Sequence, residues 1–331
     1  MSDEANAILA STLWVATWWI TEAIPIAATS LLPIILFPLS GALSIEATSS
    51  SYGHKYIFLY LGGFILALAI EKWNLHKRIA LNIISKIGTD VRKIILGFMV
   101  ATAFLSMWIS NTATAVMMLP IGIAIIKQMK DLKTTDEDEN QIFGKALLLS
   151  IAFSASIGGL ATLIGTPPNL VFTGIVYELY QIEISFLDWI ILGLPISIVL
   201  LTISWIYITR FAFKFKQTNF SDGQTEIKRQ LKALGEISYE ERLVRNVFVL
   251  TAIAWIIRKH VLNIFIPSLD DSMIALIAGI SLFLLQSRIN TGQKKLMYWE
   301  DAVKLPWGIL LLFGGGLAIA AGFQSLSLIH I

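Results

Sequence analysis

The feature that most restricts this sequence is a series of long apolar blocks separated by short charged segments. A helix that crosses a bilayer needs about 20 apolar residues. Of the 331 residues, 56% are hydrophobic and 15% are charged, whereas soluble domains have roughly 45–50% and about 25%. The pattern predicts an all-α polytopic membrane protein of the cell (inner) membrane, rather than a large soluble helical enzyme. The blocks lie at about 7–39, 56–70, 94–126, 146–177, 187–209, 246–266, 273–286 and 305–323.

Several kinds of chemistry find no support in the sequence. There are no cysteines and only four scattered histidines, so thiolate metal sites and histidine clusters are excluded. No GxxxxGK phosphate loop or HExxH zinc motif occurs. The first residues, MSDEANA, are acidic, whereas a secretory signal begins with a basic segment.

The positions of the basic residues predict the topology, because Lys and Arg mark cytoplasmic loops. Segments 72–93, 127–145, 210–245 and 288–304 hold 22 of the 25 basic residues. We therefore assign these four segments to the cytoplasmic side, and the loops between them to the opposite side.

The block 94–126 begins and ends on the cytoplasmic side in this topology. Its 33 residues are too few for two full crossings, at about 1.5 Å per residue through a core of about 30 Å. We therefore predict a re-entrant hairpin with its tip at Ser110-Asn111-Thr112. A helix break at this depth persists only where protein or a wet cavity satisfies its backbone groups. The alternative is that these hydroxyls merely bond back to their own helix.

A second break is predicted inside the block 146–177, where residues 165–169 read GTPPN. Two consecutive prolines remove two backbone donors, and glycine adopts dihedral angles that other residues resist. The expectation is two half-helices joined by an unwound GTPPN. A simple proline kink is the alternative.

The chain also resembles itself. Residues 44–69 and 299–321 each contain an acidic stretch, a short polar gap, an apolar run and a Gly-Gly pair, with Gly62-Gly63 matching Gly314-Gly315. The charge-derived topology gives the two copies opposite directions, so we predict an inverted repeat, a common plan of secondary transporters. Chance similarity between glycine-containing membrane helices is the alternative.

Four motifs resemble the divalent anion/sodium symporter family, which includes sodium-coupled dicarboxylate and citrate transporters. They are WWITEAIPIAATSLLPIILFPL at 18–39, SMWISNTATAVMMLP at 106–120, GGLATLIGTPPNLV at 158–171 and FGGGLAIAAGFQ at 313–324. The resemblance implies a homodimer in which a transport domain moves like an elevator against a scaffold. It also implies that each repeat supplies one hairpin and one broken helix.

The resemblance assigns site residues to positions of this sequence. The implied sodium ligands are Ser106, Ser110, Asn111 and Gly165. The implied substrate-binding residues are Ser110, Asn111, Thr112, Thr166, Pro168 and Asn169. Neutral oxygens suit a hard cation, and amide and hydroxyl donors suit an anion.

The expected domain organisation follows the same resemblance. Residues 1–93 form scaffold helices and an interfacial arm, and 94–178 form the transport-domain hairpin and broken helix. Residues 179–304 form further scaffold helices with the cytoplasmic loop 210–245. Residues 305–331 begin a second repeat that the sequence leaves incomplete, so we expect the chain to be a fragment.

The expected function is sodium-coupled symport of a small divalent anion, such as the C4 dicarboxylate succinate. The expected partners are sodium, the anion, the lipid bilayer and a second copy of the chain, with no nucleic acid. A sodium-independent dicarboxylate exchanger and a sulfate transporter remain alternatives, as does a membrane scaffold that does not transport. An intramembrane enzyme lacks support, because the tip blocks contain no histidine or carboxylate that would serve as a base.

Overall fold

The computed structural model describes residues 2–88, 90–131, 137–215, 221–288 and 294–326. In these ranges the chain is helical, with one isolated β-bridge between Gln286 and Lys295. The α-helices are α1 (Asp3–Thr21), α2 (Ile26–Thr29), α3 (Leu32–Leu39), α4 (Ile45–Ser50), α5 (Lys55–Lys72), α6 (Leu75–Ile87), α7 (Val91–Ser106), α8 (Asn111–Asp131), α9 (Glu137–Gly159), α10 (Pro167–Tyr180), α11 (Phe186–Ile206), α12 (Ser221–Ala233), α13 (Tyr239–Ile257), α14 (Asn263–Phe265), α15 (Asp271–Leu284), α16 (Trp299–Ala302) and α17 (Trp307–Ser325). The all-α prediction is confirmed.

Five helical stretches of the described chain are long and apolar enough to cross a membrane: Ile45–Lys72, Glu139–Gly159, Phe186–Ala212, Tyr239–Phe265 and Trp307–Ser325. The stretch Phe186–Ala212 has a mean hydropathy of 2.3, yet only 17% of its most apolar window is buried inside the chain. An apolar surface of this size is unfavourable in water, so its solvent is lipid. The chain is a multi-pass membrane protein.

The block 94–126 folds as a helical hairpin. Helix α7 ends at Ser106 and α8 begins at Asn111. The two arms run antiparallel, because Ser106 contacts Asn111 at the tip and the Phe98 ring lies near Gly122 further down. Neither arm is among the five long apolar helices found in the described part of the chain.

Aromatic packing holds the turn between the two arms. Trp108 stacks its ring on Trp255 of α13 at 6.4 Å and on Phe186 of α11 at 6.1 Å, and meets Phe248 edge-on at 4.8 Å. Such aromatic pairs contribute about 0.5–1.5 kcal/mol each beyond the area they bury. The turn is therefore fixed against two of the long helices.

The two copies of the internal repeat lie antiparallel. At the C-terminal end of α5, Lys72 pairs with Asp301, which precedes α17, at 2.6 Å. At the other end, Tyr52, which precedes α5, packs on the middle of α17, where a Cβ at Gly314 would collide with the Tyr52 ring. These contacts agree with the inverted orientation predicted from the charges.

The Gly-Gly pairs mark close helix crossings. A Cβ at Gly62 would lie 2.5 Å from the Ala275 carbonyl carbon of α15, and one at Gly315 would lie 2.5 Å from the Ser30 carbonyl oxygen. Side chains at these positions would force the backbones apart. Both copies of the repeat thus use glycine for close packing.

Candidate functional site

The hairpin tip is built from a helix start. Ser110 caps α8, because its hydroxyl accepts a hydrogen bond from the Ala113 N–H at 3.3 Å and its carbonyl accepts one from the Thr114 N–H at 2.9 Å. Asn111 is therefore the first residue of α8 rather than part of the turn. The turn itself is residues 107–110, slightly before the Ser-Asn-Thr predicted as the tip.

The second break is real, but it lies earlier than predicted. Helix α9 ends at Gly159, residues 160–166 form turns and bends, and α10 begins at Pro167. The prediction of an unwound GTPPN is wrong for Pro167, Pro168 and Asn169, which form the first turn of α10. Proline suits that turn because its missing N–H would have no helical partner there.

Asn169 closes the break from inside α10. Its side-chain amide is buried and donates hydrogen bonds to the Gly159 carbonyl at 2.9 Å and to the Thr162 carbonyl at 2.7 Å. These carbonyls belong to the end of α9 and to the turns, where no helical partner is available. Asn169 thus supports the break.

The tip of the hairpin packs into the break. The Thr162 hydroxyl donates to the Met107 carbonyl, and Asn111 Nδ2 lies 3.5 Å from Thr166 Oγ1. The backbones approach so closely that a Cβ at Gly158 would come within 2.7 Å of the Ala103 carbonyl carbon. Each element therefore provides polar partners for the other at membrane depth.

Four oxygen-bearing groups converge at this contact. Ser106 Oγ lies 2.7 Å from the Asn111 amide atom that faces it. That amide atom also lies 3.1 Å from the Ala155 carbonyl and 3.3 Å from the Gly165 carbonyl. Ser106 is fully buried, and its hydroxyl lies within hydrogen-bond distance of the Ala155 carbonyl, at 2.6 Å.

The Asn111 amide fits this cluster in two orientations. With the nitrogen turned inward, its two hydrogens and the Ser106 hydroxyl satisfy the surrounding acceptors. With the oxygen turned inward, four oxygens share the single Ser106 hydrogen, and this set is open to a cation. Hard cations take neutral carbonyl, amide and hydroxyl oxygens, so these residues fit a sodium ion.

The cluster contains no ionisable ligand. Across the described parts of the chain, no group of three or more His, Asp or Glu side chains is placed to hold a metal.

The glycines of this region are needed for space rather than for unusual dihedral angles. Gly165 has no positive φ, so the prediction that it supplies unusual dihedral angles is wrong. A Cβ there would instead lie 2.5 Å from the Gly159 carbonyl oxygen. A Cβ at Gly159 would overlap the Asn111 amide.

Two helix N-termini lie beside the cluster. Helix α8 begins at Asn111 and α10 begins at Pro167, just after Thr166. Helix N-termini carry a partial positive charge and favour anions. Thr112 and Pro168 are exposed in these first turns, outside the oxygen cluster but available to a ligand.

A cavity of about 220 Å³ opens beside the tip, with Ser110 and Ala113 on one side and Lys304 and Glu71 on the other. Its remaining lining is largely apolar. The cavity connects the tip to the region between α16 and α17.

Comparisons with known proteins agree with the motifs. The family model described as "Sodium:sulfate symporter transmembrane region" matches residues 1–331. The chain belongs to this family. The predicted membership of the divalent anion/sodium symporters is confirmed, and the family name is that of transporters, not enzymes.

Relatives of this family member include the "Sodium-dependent dicarboxylate transporter SdcS" of Staphylococcus aureus. The protein of strain USA300 is 50% identical over 321 residues, which cover 96% of this chain and 62% of the relative. That of strain bovine RF122/ET3-1 is 50% identical over 325 residues, covering 97% and 62%. The chain thus spans less than two thirds of the length of these relatives.

The structure brings together most residues predicted for the site of this symporter-family chain. Ser106, Asn111 and Gly165 meet in the oxygen cluster, and Thr166 and Asn169 border it. Ser110 caps α8 with its side chain, outside the cluster. Sequence reasoning missed Ala155 and Thr162. The small residues around them, SASIGGLAT, indicated close backbone approach but not which carbonyls would face the cluster.

Proposed function

We propose that the chain carries a sodium site and half of a substrate site of a symporter for small divalent anions, with a C4 dicarboxylate such as succinate as the substrate. The observation that carries this proposal is the oxygen cluster between the hairpin tip and the break. Sodium is cargo here, held by Ser106, Asn111 and the carbonyls of Ala155 and Gly165. Ser110 borders the site through its backbone.

The anion is assigned to the polar face formed by the first turns of α8 and α10. Asn111 and Thr112 offer amide and hydroxyl donors to a carboxylate, and Ser110 and Thr166 lie at the two caps. Pro168 and Asn169 shape the first turn of α10. Pro168 itself has no N–H to offer to the anion. The helix N-termini supply a favourable potential for the negative charge.

The proposed movement divides the chain as the sequence suggested. Residues 94–178 move as a transport unit against scaffold helices in 1–93 and 179–304, and residues 305–331 begin the second repeat. An elevator movement of this kind requires the ring contacts of Trp108 with Trp255 and Phe248 to break in each cycle. The scaffold is proposed to form a homodimer.

Sulfate is the second candidate substrate, and the family description favours it. The names of the 50%-identical relatives favour a dicarboxylate instead, so we place sulfate second. Sodium-independent exchange and a scaffold role without transport predict no effect of sodium on the cluster.

Uptake of radiolabelled succinate into proteoliposomes, by the chain completed with a second repeat, tests the proposal. Ser106→Ala removes one oxygen of the cluster and should raise the sodium concentration for half-maximal uptake about tenfold or more, because a bond to a charged group contributes about 1.5–3 kcal/mol. Thr17→Ala is the matched control, since Thr17 is exposed and its hydroxyl donates to the Leu13 carbonyl of its own helix. Unchanged sodium dependence in Ser106→Ala would refute the assignment.

Two further measurements separate the alternatives. Excess unlabelled sulfate should compete weakly with succinate, and strong competition would favour the sulfate reading. Hydrogen exchange of residues 106–114 in sodium and in potassium needs no turnover. Slower exchange in sodium supports the site, and equal exchange supports a scaffold.

A further inference from the structure

An apolar groove runs along the outside of the molecule between α7 and α11. Its volume is about 400 Å³, and its walls include Leu96, Val100 and Phe104 on one side and Leu194, Ile198 and Leu201 on the other. Both helices contribute side chains along the whole groove. The surface therefore offers a long cleft lined by hydrocarbon.

The polar side chains in the groove are already satisfied. Ser197 donates to the Ile157 carbonyl at 2.7 Å, and Thr202 donates to the Ile198 carbonyl at 2.8 Å. They offer no donor to a polar guest. The groove therefore suits an aliphatic occupant.

The length of the groove matches one leaflet of a bilayer. On the α7 side its lining extends from Leu96 to Met107, and the eleven steps between these residues rise about 16 Å at 1.5 Å per residue. Half of a hydrocarbon core of about 30 Å is about 15 Å. A single acyl chain of one leaflet thus fills the groove from its open end to the hairpin tip.

The end of the groove away from the tip adjoins Arg92. Trp205 lines this end and donates from its indole Nε1 to the Arg92 carbonyl at 3.0 Å. Arg92 Nε is buried and has no hydrogen-bond partner among the residues that the structure describes. Lys93 and Arg210 are exposed nearby in the chain. Tryptophan at this level is typical of a membrane interface.

We propose that this groove is a binding site for an anionic phospholipid of the cytoplasmic leaflet. One acyl chain lies between α7 and α11, and the headgroup phosphate lies at Arg92, with Arg210 contributing charge. The charge-derived topology places both basic segments on the cytoplasmic side, where anionic lipids are enriched and basic pockets between membrane helices bind their headgroups. Arginine suits phosphate because of its forked donors.

This lipid would contact the arm that carries the oxygen cluster. Met107 lies at the deep end of the groove. Its carbonyl accepts the hydrogen bond from the Thr162 hydroxyl that joins the tip to the break. The bound acyl chain therefore packs against the hairpin next to its polar contact.

Native mass spectrometry of the purified full chain tests the proposal. The delipidated protein is titrated with phosphatidylglycerol and with phosphatidylcholine of the same acyl chains. We expect tighter binding of phosphatidylglycerol, and Arg92→Gln should weaken it about fivefold without affecting phosphatidylcholine, the effect of about one basic residue near the headgroups. Arg210→Gln is a second variant, since its exposed side chain is dispensable for folding.

Matched controls distinguish an effect at the groove from the effect of removing any surface charge or adding any bulky side chain. Arg245→Gln removes an exposed charge whose guanidinium donates to Asn246 Oδ1, and should leave both lipids unaffected. Val100→Trp fills the groove and should reduce binding of both lipids, whereas Ile277→Trp in a similar groove of about 410 Å³ between α13 and α15 should spare this site.

Three results would overturn the proposal. The first is equal affinity for the two lipids. The second is unchanged phosphatidylglycerol binding in both arginine variants, with folding verified by thermal unfolding. The third is a Val100→Trp variant that changes the oligomeric state but not lipid binding, which would make a second copy of the chain the occupant.

Discussion

Replacing Gly159 with alanine should disturb the oxygen cluster while leaving the surrounding fold intact. Gly159 is the last residue of α9, and a Cβ there would overlap the Asn111 amide oxygen and lie 3.1 Å from both Cγ and Nδ2 of Asn111. The obstacle is the end of a side chain and not a backbone. The amide is expected to swing away by about 1 Å to reach ordinary contact distance.

The free energy of unfolding should change little. Alanine gains up to about 1 kcal/mol over glycine in a helix. Moving the Asn111 side chain off its rotamer costs about 0.5–1.5 kcal/mol, and its hydrogen bond to Ser106 contributes about 1 kcal/mol. With the full gain from alanine, these costs exceed the gain by about 0.5–1.5 kcal/mol, so the variant should unfold within about 1.5 kcal/mol of the parent in the absence of sodium.

Sodium binding should change much more. Losing one ligand to a cation costs about 1.5–3 kcal/mol, or roughly 10–100-fold in affinity. Sodium at 100 times its Kd stabilises the parent by about 2.7 kcal/mol. After that loss of affinity, the same sodium concentration stabilises the variant by only about 0.4–1.4 kcal/mol.

Thermal unfolding followed by tryptophan fluorescence measures both quantities. The purified chain is heated in sodium chloride and in potassium chloride of equal ionic strength. Gly144→Ala is the control in the same helix, because its Cβ would make only ordinary contact with Ile126, at 3.5 Å. A Gly159→Ala variant that keeps the full sodium-dependent shift would refute the placement of Asn111 as a sodium ligand.

Two further predictions follow from buried polar contacts. Burial raises the pKa of the Asp301 carboxyl, but the hydrogen bond from Lys72 and the other partners outweigh burial, so the pKa lies below its ordinary value. The stability that this pair contributes is therefore present at neutral pH. It is lost as the pH falls through the lowered pKa. Asp301→Asn should flatten the fall in unfolding temperature below about pH 4, and an unchanged acid profile would contradict the pairing. Asn169→Ala leaves two carbonyls of the break without a donor and should lower the free energy of unfolding by about 1–3 kcal/mol. Denaturant unfolding measures this against the exposed Asn246→Ala, and equal stability of the two variants would show that Asn169 does not support the break.

The sequence predicted the hairpin because its physical cause is local and one-dimensional. Basic segments on both sides of 94–126 require a return to the same face, and the length of the block forbids two full crossings. A different argument, from the two prolines, misplaced the second break. Two prolines mark the start of α10, and the turns before them, residues 160–166, carry no comparable mark.

The oxygen cluster was only partly predictable for a different reason. Ser106 and Asn111 contribute side chains, which a motif records. Ala155 and Gly165 contribute carbonyls, which every residue possesses. Which carbonyls turn inward depends on how closely α7 and α9 approach, and that distance is set by Gly158 and its contact with Ala103.

The neutrality of the cluster bears on how sodium and an anion would affect each other. A carboxylate among the ligands would compensate the cation by itself. Here the sodium charge would be compensated by dipoles alone, beside two helix N-termini that already favour negative charge. On the proposed function, an anion at those N-termini lowers the electrostatic cost of the sodium ion, and sodium lowers the cost of the anion. Because such coupling is reciprocal, sodium must tighten anion binding by the same factor as the anion tightens sodium binding.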